Sequence, residues 1–129
     1  MSMTSTDSKQ LVSRYLQAIN GQAKTPAVVA RFVTDPSLAE HIRQVEAAFP
    51  AYELIPDDLV AEGAVVAMRG TFRGVHRAEF AGIPATGRTV SAPLMIFYRI
   101  ENDRIAAHWL QFDGGSVIAQ LTAASVAHA

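Results

Sequence analysis

The sequence predicts an α+β fold in which three N-terminal helices pack on a curved, mostly antiparallel sheet. Two observations carry this. Apolar residues recur at helical spacing up to Phe49, and beyond Pro50 the period falls to two. The strands that follow are joined by turns and a Gly-rich connection, with no helical stretch between them. Neither repeats nor a linker interrupts the chain, so residues 1–129 read as one domain. Helices laid on one face of such a sheet leave a pocket at its open end.

Asp7 is placed to cap the first helix, with Gln10 three residues later as a partial capping box. Leu11, Val12, Tyr15, Leu16 and Ile19 form its apolar stripe, and Asn20-Gly21 stops it. Thr25-Pro26 starts a second helix carrying Val28, Val29, Phe32 and Val33. Asp35-Pro36 repeats that signal for a third, lined by Leu38, Ile42, Val45 and Phe49. A strand over 52–60 contains Pro56, which marks an edge. Asp57-Asp58 beside it reads as a turn. Glu62-Gly63 turns into a strand over 64–73, with Val66, Met68, Gly70 and Phe72 on one face. Residues 74–87 connect to a strand over 88–100, broken or bulged at Pro93. Glu101-Asn102-Asp103 is a hairpin turn, and 104–113 is the last strand. Gly114-Gly115 ends it before a short helix with Val117, Ile118 and Leu121.

The chain has 11 Lys and Arg against 12 Asp and Glu, and no basic stripe, so duplex nucleic acid is not an expected partner. Aromatic residues are too few for a single-strand stacking platform. No apolar run approaches the roughly 20 residues that cross a bilayer. The polar N-terminus lacks a signal-peptide core, and the absence of cysteine fits a cytoplasmic protein. With no Cys and no metal spacing among His41, His76 and His128, no metal or other cofactor is expected. Half the residues are hydrophobic, high for a small domain. That content points to a lined cavity or a buried homodimer face.

The chemistry concentrates between Arg99 and Asp113. Alternation puts Ala106, His108, Leu110 and Phe112 on one face of the last strand, and Ala107, Trp109, Gln111 and Asp113 on the other. The preceding strand offers Leu94, Ile96 and Tyr98 on one face. Arg69 and Arg73 share a face where Glu53, Asp57 or Asp58 can pair with them.

The segments Phe80-Ala81-Gly82-Ile83-Pro84-Ala85-Thr86-Gly87-Arg88 and Tyr98-Arg99-Ile100-Glu101-Asn102-Asp103-Arg104-Ile105-Ala106-Ala107-His108-Trp109 resemble the SnoaL-like polyketide cyclases and ester cyclases. These belong to the cone-shaped NTF2-like superfamily, and the likeness runs from about Gln10 to Leu121. The resemblance implies a cone whose His108 face lines the pocket. It also implies an acid/base carboxylate two residues after that histidine, supported by a Gln and a His on the preceding strand. Those positions hold Leu110, Leu94 and Ile96 here. The segment between the second and third helices is shorter than in the family, where it brings a polar residue to the pocket mouth.

Two residues are the candidates for catalysis. His108 can shuttle a proton, or can be a core histidine satisfied by one hydrogen bond. Asp113 is the nearest carboxylate to the family position. A bulge could turn it into the pocket, or it can form the turn before Gly114-Gly115. The ligand-binding candidates are Leu94, Ile96, Tyr98, Leu110 and Phe112, with Trp109 able to stack on a flat ligand or to fill a core or interface. The expected partners are a hydrophobic small molecule and a second copy of the chain. The leading function is cofactor-independent acid/base cyclisation or isomerisation of a hydrophobic, carbonyl-bearing, polyketide-like ligand. The alternatives are a non-catalytic binder of an apolar molecule and a dimerisation module.

Overall fold

Apolar spacing and capping produce four helices and four strands: α1 Ser5–Ile19, α2 Pro26–Ala30, α3 Pro36–Ala48, β1 Glu53–Glu62, β2 Val65–Val75, β3 Thr89–Glu101, β4 Arg104–Phe112 and α4 Gly114–Thr122. The structure, a computed structural model, describes residues 4–123, so His128 lies outside the described residues. The strands form one antiparallel meander in the order β1-β2-β3-β4, and the helices cover one face of it. This is the α+β architecture that the hydrophobic periods predict.

The cap of α1 is Thr4, three residues before the expected Asp7. Thr4 Oγ1 accepts from the Asp7 N–H at 3.0 Å, and the Asp7 carboxylate accepts from the Thr4 N–H at 3.4 Å. Asp7 thus sits at the third helical position and completes a reciprocal box that the Asp7-Gln10 pair could not match. Helix α2 stops at Ala30, so Phe32 and Val33 leave it. Instead they pair with β4. The Ile105 N–H donates to Phe32 O at 2.7 Å, and the Thr34 and Asp35 N–H groups both donate to Ile105 O. Sheet hydrogen bonds here outcompete the last turn of a short helix.

Ile105 reaches that segment because β4 slips register between Arg99 and Ile100 of its partner strand, leaving Ala106 unpaired. Strict alternation would send Ile105 and His108 to opposite faces. The bulge turns both inward.

Asp57 and Asp58 lie inside β1, where a second bulge falls between Pro56 and Asp58. Beside it, Gly70 packs against the β1 backbone: a Cβ there would meet Ile55 O at 2.7 Å. On the outer face Arg69 pairs with Asp58 at 2.7 Å and Arg73 with Glu53 at 3.6 Å, as the charge pattern implied.

Pro93 does not break β3, which pairs with β2 along its length. The β3–β4 ladder begins only at Leu94, so past that point β3 has no strand on its second edge. There the Gln120 carboxamide of α4 pairs with Ser91, accepting from its N–H at 3.0 Å and donating to its O at 2.8 Å. Backbone groups two residues apart point the same way, so the missing N–H of Pro93 falls on this strand-free edge.

Two substitutions test this packing by urea denaturation. Gly70→Ala should cost about 1–3 kcal/mol, because the added methyl must displace backbone. Ala51 has φ 58°, a conformation that favours glycine, so Ala51→Gly should stabilise by up to about 1 kcal/mol.

Candidate functional site

Beneath α3, the inward faces of β3 and β4 enclose an apolar cavity of about 50 Å³. From the sheet it is lined by Leu94, Ile96, Tyr98, Leu110 and Phe112, and from α3 by Leu38, His41, Ile42 and Val45. Tyr15, Tyr52 and Phe80 complete much of its wall. The sheet residues are brought together because they alternate along two paired strands: Leu94 faces Phe112, Ile96 faces Leu110, and Tyr98 faces His108.

His108 is held by Asp35 across the strand pair from Tyr98, and it is not itself among the residues that line the cavity. Its Nδ1 lies 2.7 Å from Asp35 Oδ2, and both side chains are largely buried. The other oxygen of Asp35 starts α3: Oδ1 accepts from the Ser37 N–H at 2.9 Å, the Ser37 hydroxyl at 2.8 Å and the Leu38 N–H at 3.3 Å. Burial alone would raise the Asp35 pKa. The hydrogen bonds from His108, Ser37 and Leu38 outweigh it and hold the carboxyl below its ordinary value. An ionised carboxylate only accepts, so His108 carries its proton on Nδ1. In the neutral ring Nε2 then has the free lone pair, the arrangement a general base needs.

His41 stands nearby on α3. Burial lowers its pKa, and the proximity of His108 lowers it further, so it favours the neutral form. Sequence reasoning set His41 aside for want of metal spacing. Yet Leu38, His41, Ile42 and Val45 share the spacing of one helix face, which was a readable signal that His41 points into the core. Asp35 was legible only as a helix start. Its partner lies 73 positions away, a contact that no local pattern announces.

Two predicted residues are placed elsewhere. Asp113 is exposed and caps α4, its Oδ1 accepting from the Ser116 N–H at 3.0 Å. The β3–β4 register shift falls at the hairpin end, so no bulge is present to turn Asp113 inward. Trp109 lies on the outer face, 52% exposed, with the Arg99 guanidinium 5.2 Å from its ring centre. It does not line the cavity.

Lys24 stands beside the Tyr52 part of the wall, and it is fully engaged. Its Nζ donates to Tyr52 O at 2.7 Å and Gln22 O at 3.0 Å, approaches Glu46 at 3.4 Å and lies over the Tyr52 ring. Burial lowers its pKa, against the opposing pull of Glu46. Among the described residues, no three His, Asp or Glu side chains gather as a metal site, and no helix is long and apolar enough to cross a membrane.

Residues 12–121 match the SnoaL-like polyketide cyclase family. The chain belongs to that family. Among solved structures, TsrD from Streptomyces laurentii is 30% identical, with a TM-score of 0.71 over 88% of this chain and 93% of that one. AclR from Streptomyces galilaeus, a proposed hydroxylase, is 21% identical, with a TM-score of 0.78 over 92% and 82% of the two chains. A SnoaL-like polyketide cyclase from Agrobacterium tumefaciens is 23% identical, with a TM-score of 0.70 over 92% and 98%. No curated protein sequence matches the chain. This SnoaL-like protein turns Leu94, Ile96 and Leu110 into its cavity. Those are the positions where the resemblance implies Gln, His and a carboxylate. The polar side chains in its lining are instead His41, Tyr15, Tyr52 and Tyr98.

Asparagine caps helices as well as aspartate does, so Asp35→Asn keeps the start of α3 and loses only the charge on the His108 bond. It should cost about 1–2 kcal/mol at pH 7. Because the folded pKa of Asp35 is lowered, the wild-type advantage is fully present above the ordinary carboxylate pKa of about 4 and is lost as pH falls through the lowered folded value. Urea titrations from pH 7 to 2 should therefore show the two proteins converging.

Proposed function

We propose that this protein is a cofactor-independent acid/base enzyme that cyclises or isomerises a hydrophobic, carbonyl-bearing ligand. The observation that carries the reading is the His108–Asp35 pair, 2.7 Å apart, with His108 directly across the strand pair from the cavity residue Tyr98. His108 Nε2 removes a proton from the carbon next to a carbonyl, leaving an enolate and an imidazolium. Attack of the enolate carbon on a second carbonyl closes a ring, and the imidazolium returns the proton to the new alkoxide. In an isomerisation the proton returns to a different carbon. No atom is gained or lost in either case. Asp35 fixes the ring and stabilises the imidazolium, and the dry walls strengthen both effects. The 50 Å³ cavity is far below the several hundred Å³ that usually hold a drug-sized ligand, so a polycyclic substrate enters by displacing part of the wall.

In this reading Asp113 is a structural cap and His108 the catalytic base. The test needs no natural substrate. The α-protons of 2-indanone exchange with D2O, and NMR follows the loss. Wild type should accelerate exchange over buffer, His108→Ala should lose about a hundredfold of that acceleration, and Asp113→Asn should retain it. The aliphatic Leu94, Ile96 and Leu110 favour a second reading, a non-catalytic binder of an apolar molecule. Binding of 2-indanone without accelerated exchange would establish that reading in place of the first.

We also propose a homodimer formed through the outer sheet face. Val60, Met95, Phe97 and Trp109 are each at least half exposed, and three of them share the paired centre of β3 and β4. Light scattering should report a dimer at micromolar concentration, and Phe97→Asp should convert it to a monomer. A wild-type monomer would overturn the assignment.

A further inference from the structure

Tyr98 is wholly buried, and its hydroxyl has no hydrogen-bond partner among the described residues. A buried hydroxyl left unpaired is a cost that phenylalanine would avoid in the same space. The ring lines the cavity, packs edge-on against Tyr15 with centroids 6.0 Å apart, and stands directly across the strand pair from His108. The Tyr98 hydroxyl is therefore a donor without an acceptor, in the wall of the cavity.

The charge of the surroundings limits what that acceptor can be. Burial keeps the phenols of Tyr15, Tyr52 and Tyr98 protonated, and His41 favours its neutral form. No arginine lines the cavity, and the Nζ of Lys24 is taken by two carbonyls and Glu46. A carboxylate entering here meets no arginine and no unengaged lysine among the described residues, and burying it is far more costly than burying a neutral carbonyl with one donor.

We propose that the Tyr98 hydroxyl binds the carbonyl oxygen of an uncharged ketone or quinone, and that the site selects such neutral ligands over carboxylates of the same shape. The proposal rests on the reading of this cavity as a small-molecule site, and not on catalysis. A carbonyl held by Tyr98 presents its neighbouring carbon on the side of the sheet where His108 stands.

Three matched probes test it: 2-indanone, indane and indane-2-carboxylate, titrated by protein NMR. Wild type should bind 2-indanone about three- to tenfold more tightly than indane, with the carboxylate weakest. Tyr98→Phe should bind 2-indanone and indane alike, and should melt at or above the wild-type temperature because it removes an unpaired hydroxyl. His108→Ala should keep the preference for the ketone even where it loses proton exchange. That separates this proposal from the catalytic one. The proposal is overturned if Tyr98→Phe keeps the preference, if it melts well below wild type, or if the carboxylate binds as tightly as the ketone. Should neither indane nor 2-indanone bind, the small-molecule reading of the cavity falls along with it.

Discussion

The Asp35 carboxylate ties the helical layer to the sheet. One oxygen organises the first turn of α3, and the other holds the imidazole of His108 on β4. The backbone arranges this in advance. Segment 32–35 is hydrogen-bonded to Ile105 at the β4 bulge, which brings Asp35 alongside the strand three residues before His108. A slip of one residue there would reverse the facing of Ile105 or His108 and leave Asp35 without its partner. The position of α3, the wall it contributes and the orientation of the imidazole therefore depend on one local register.

The surroundings make that arrangement more than a structural bond. A histidine held by a carboxylate in water is commonplace. Here the ring stands across the strand pair from Tyr98, part of the wall of a space lined by aliphatic and aromatic carbon, where charge is poorly screened. Its imidazole neighbour His41 favours the neutral form, which leaves the Asp35 carboxylate as the charged group that His108 contacts. The family relationship settles the scaffold, while Leu94, Ile96 and Leu110 put aliphatic side chains in the cavity where the family resemblance implies polar ones.

Much of the scaffold was legible in the sequence because it follows periodic burial. The stripes of α1 and α3 read directly as buried faces; period two grouped Leu94, Ile96 and Tyr98, and Leu110 with Phe112, on single strand faces, and the family resemblance chose those faces as the inward ones. Local rules failed where two of them competed or where tertiary contacts decided. Thr4 and Asp7 both suit a cap, and reciprocity chose Thr4. Phe32 and Val33 suit a helix, and the unpaired edge of Ile105 drew them into the sheet. Asp113 has the chemistry of a base, yet a helix beginning at Gly114 claimed its carboxylate. The central pair of the site joins positions 35 and 108, and neither residue's neighbourhood names the other.

The Gln120 carboxamide has a bearing on how the molecule meets others. Its N–H and C=O reproduce the two groups that an adjoining strand would offer to Ser91. With Pro93 next on the same edge offering no donor, a foreign strand finds neither a free pair nor a regular ladder there. The start of β3 is thus sealed against intruding strands of the kind that drive aggregation.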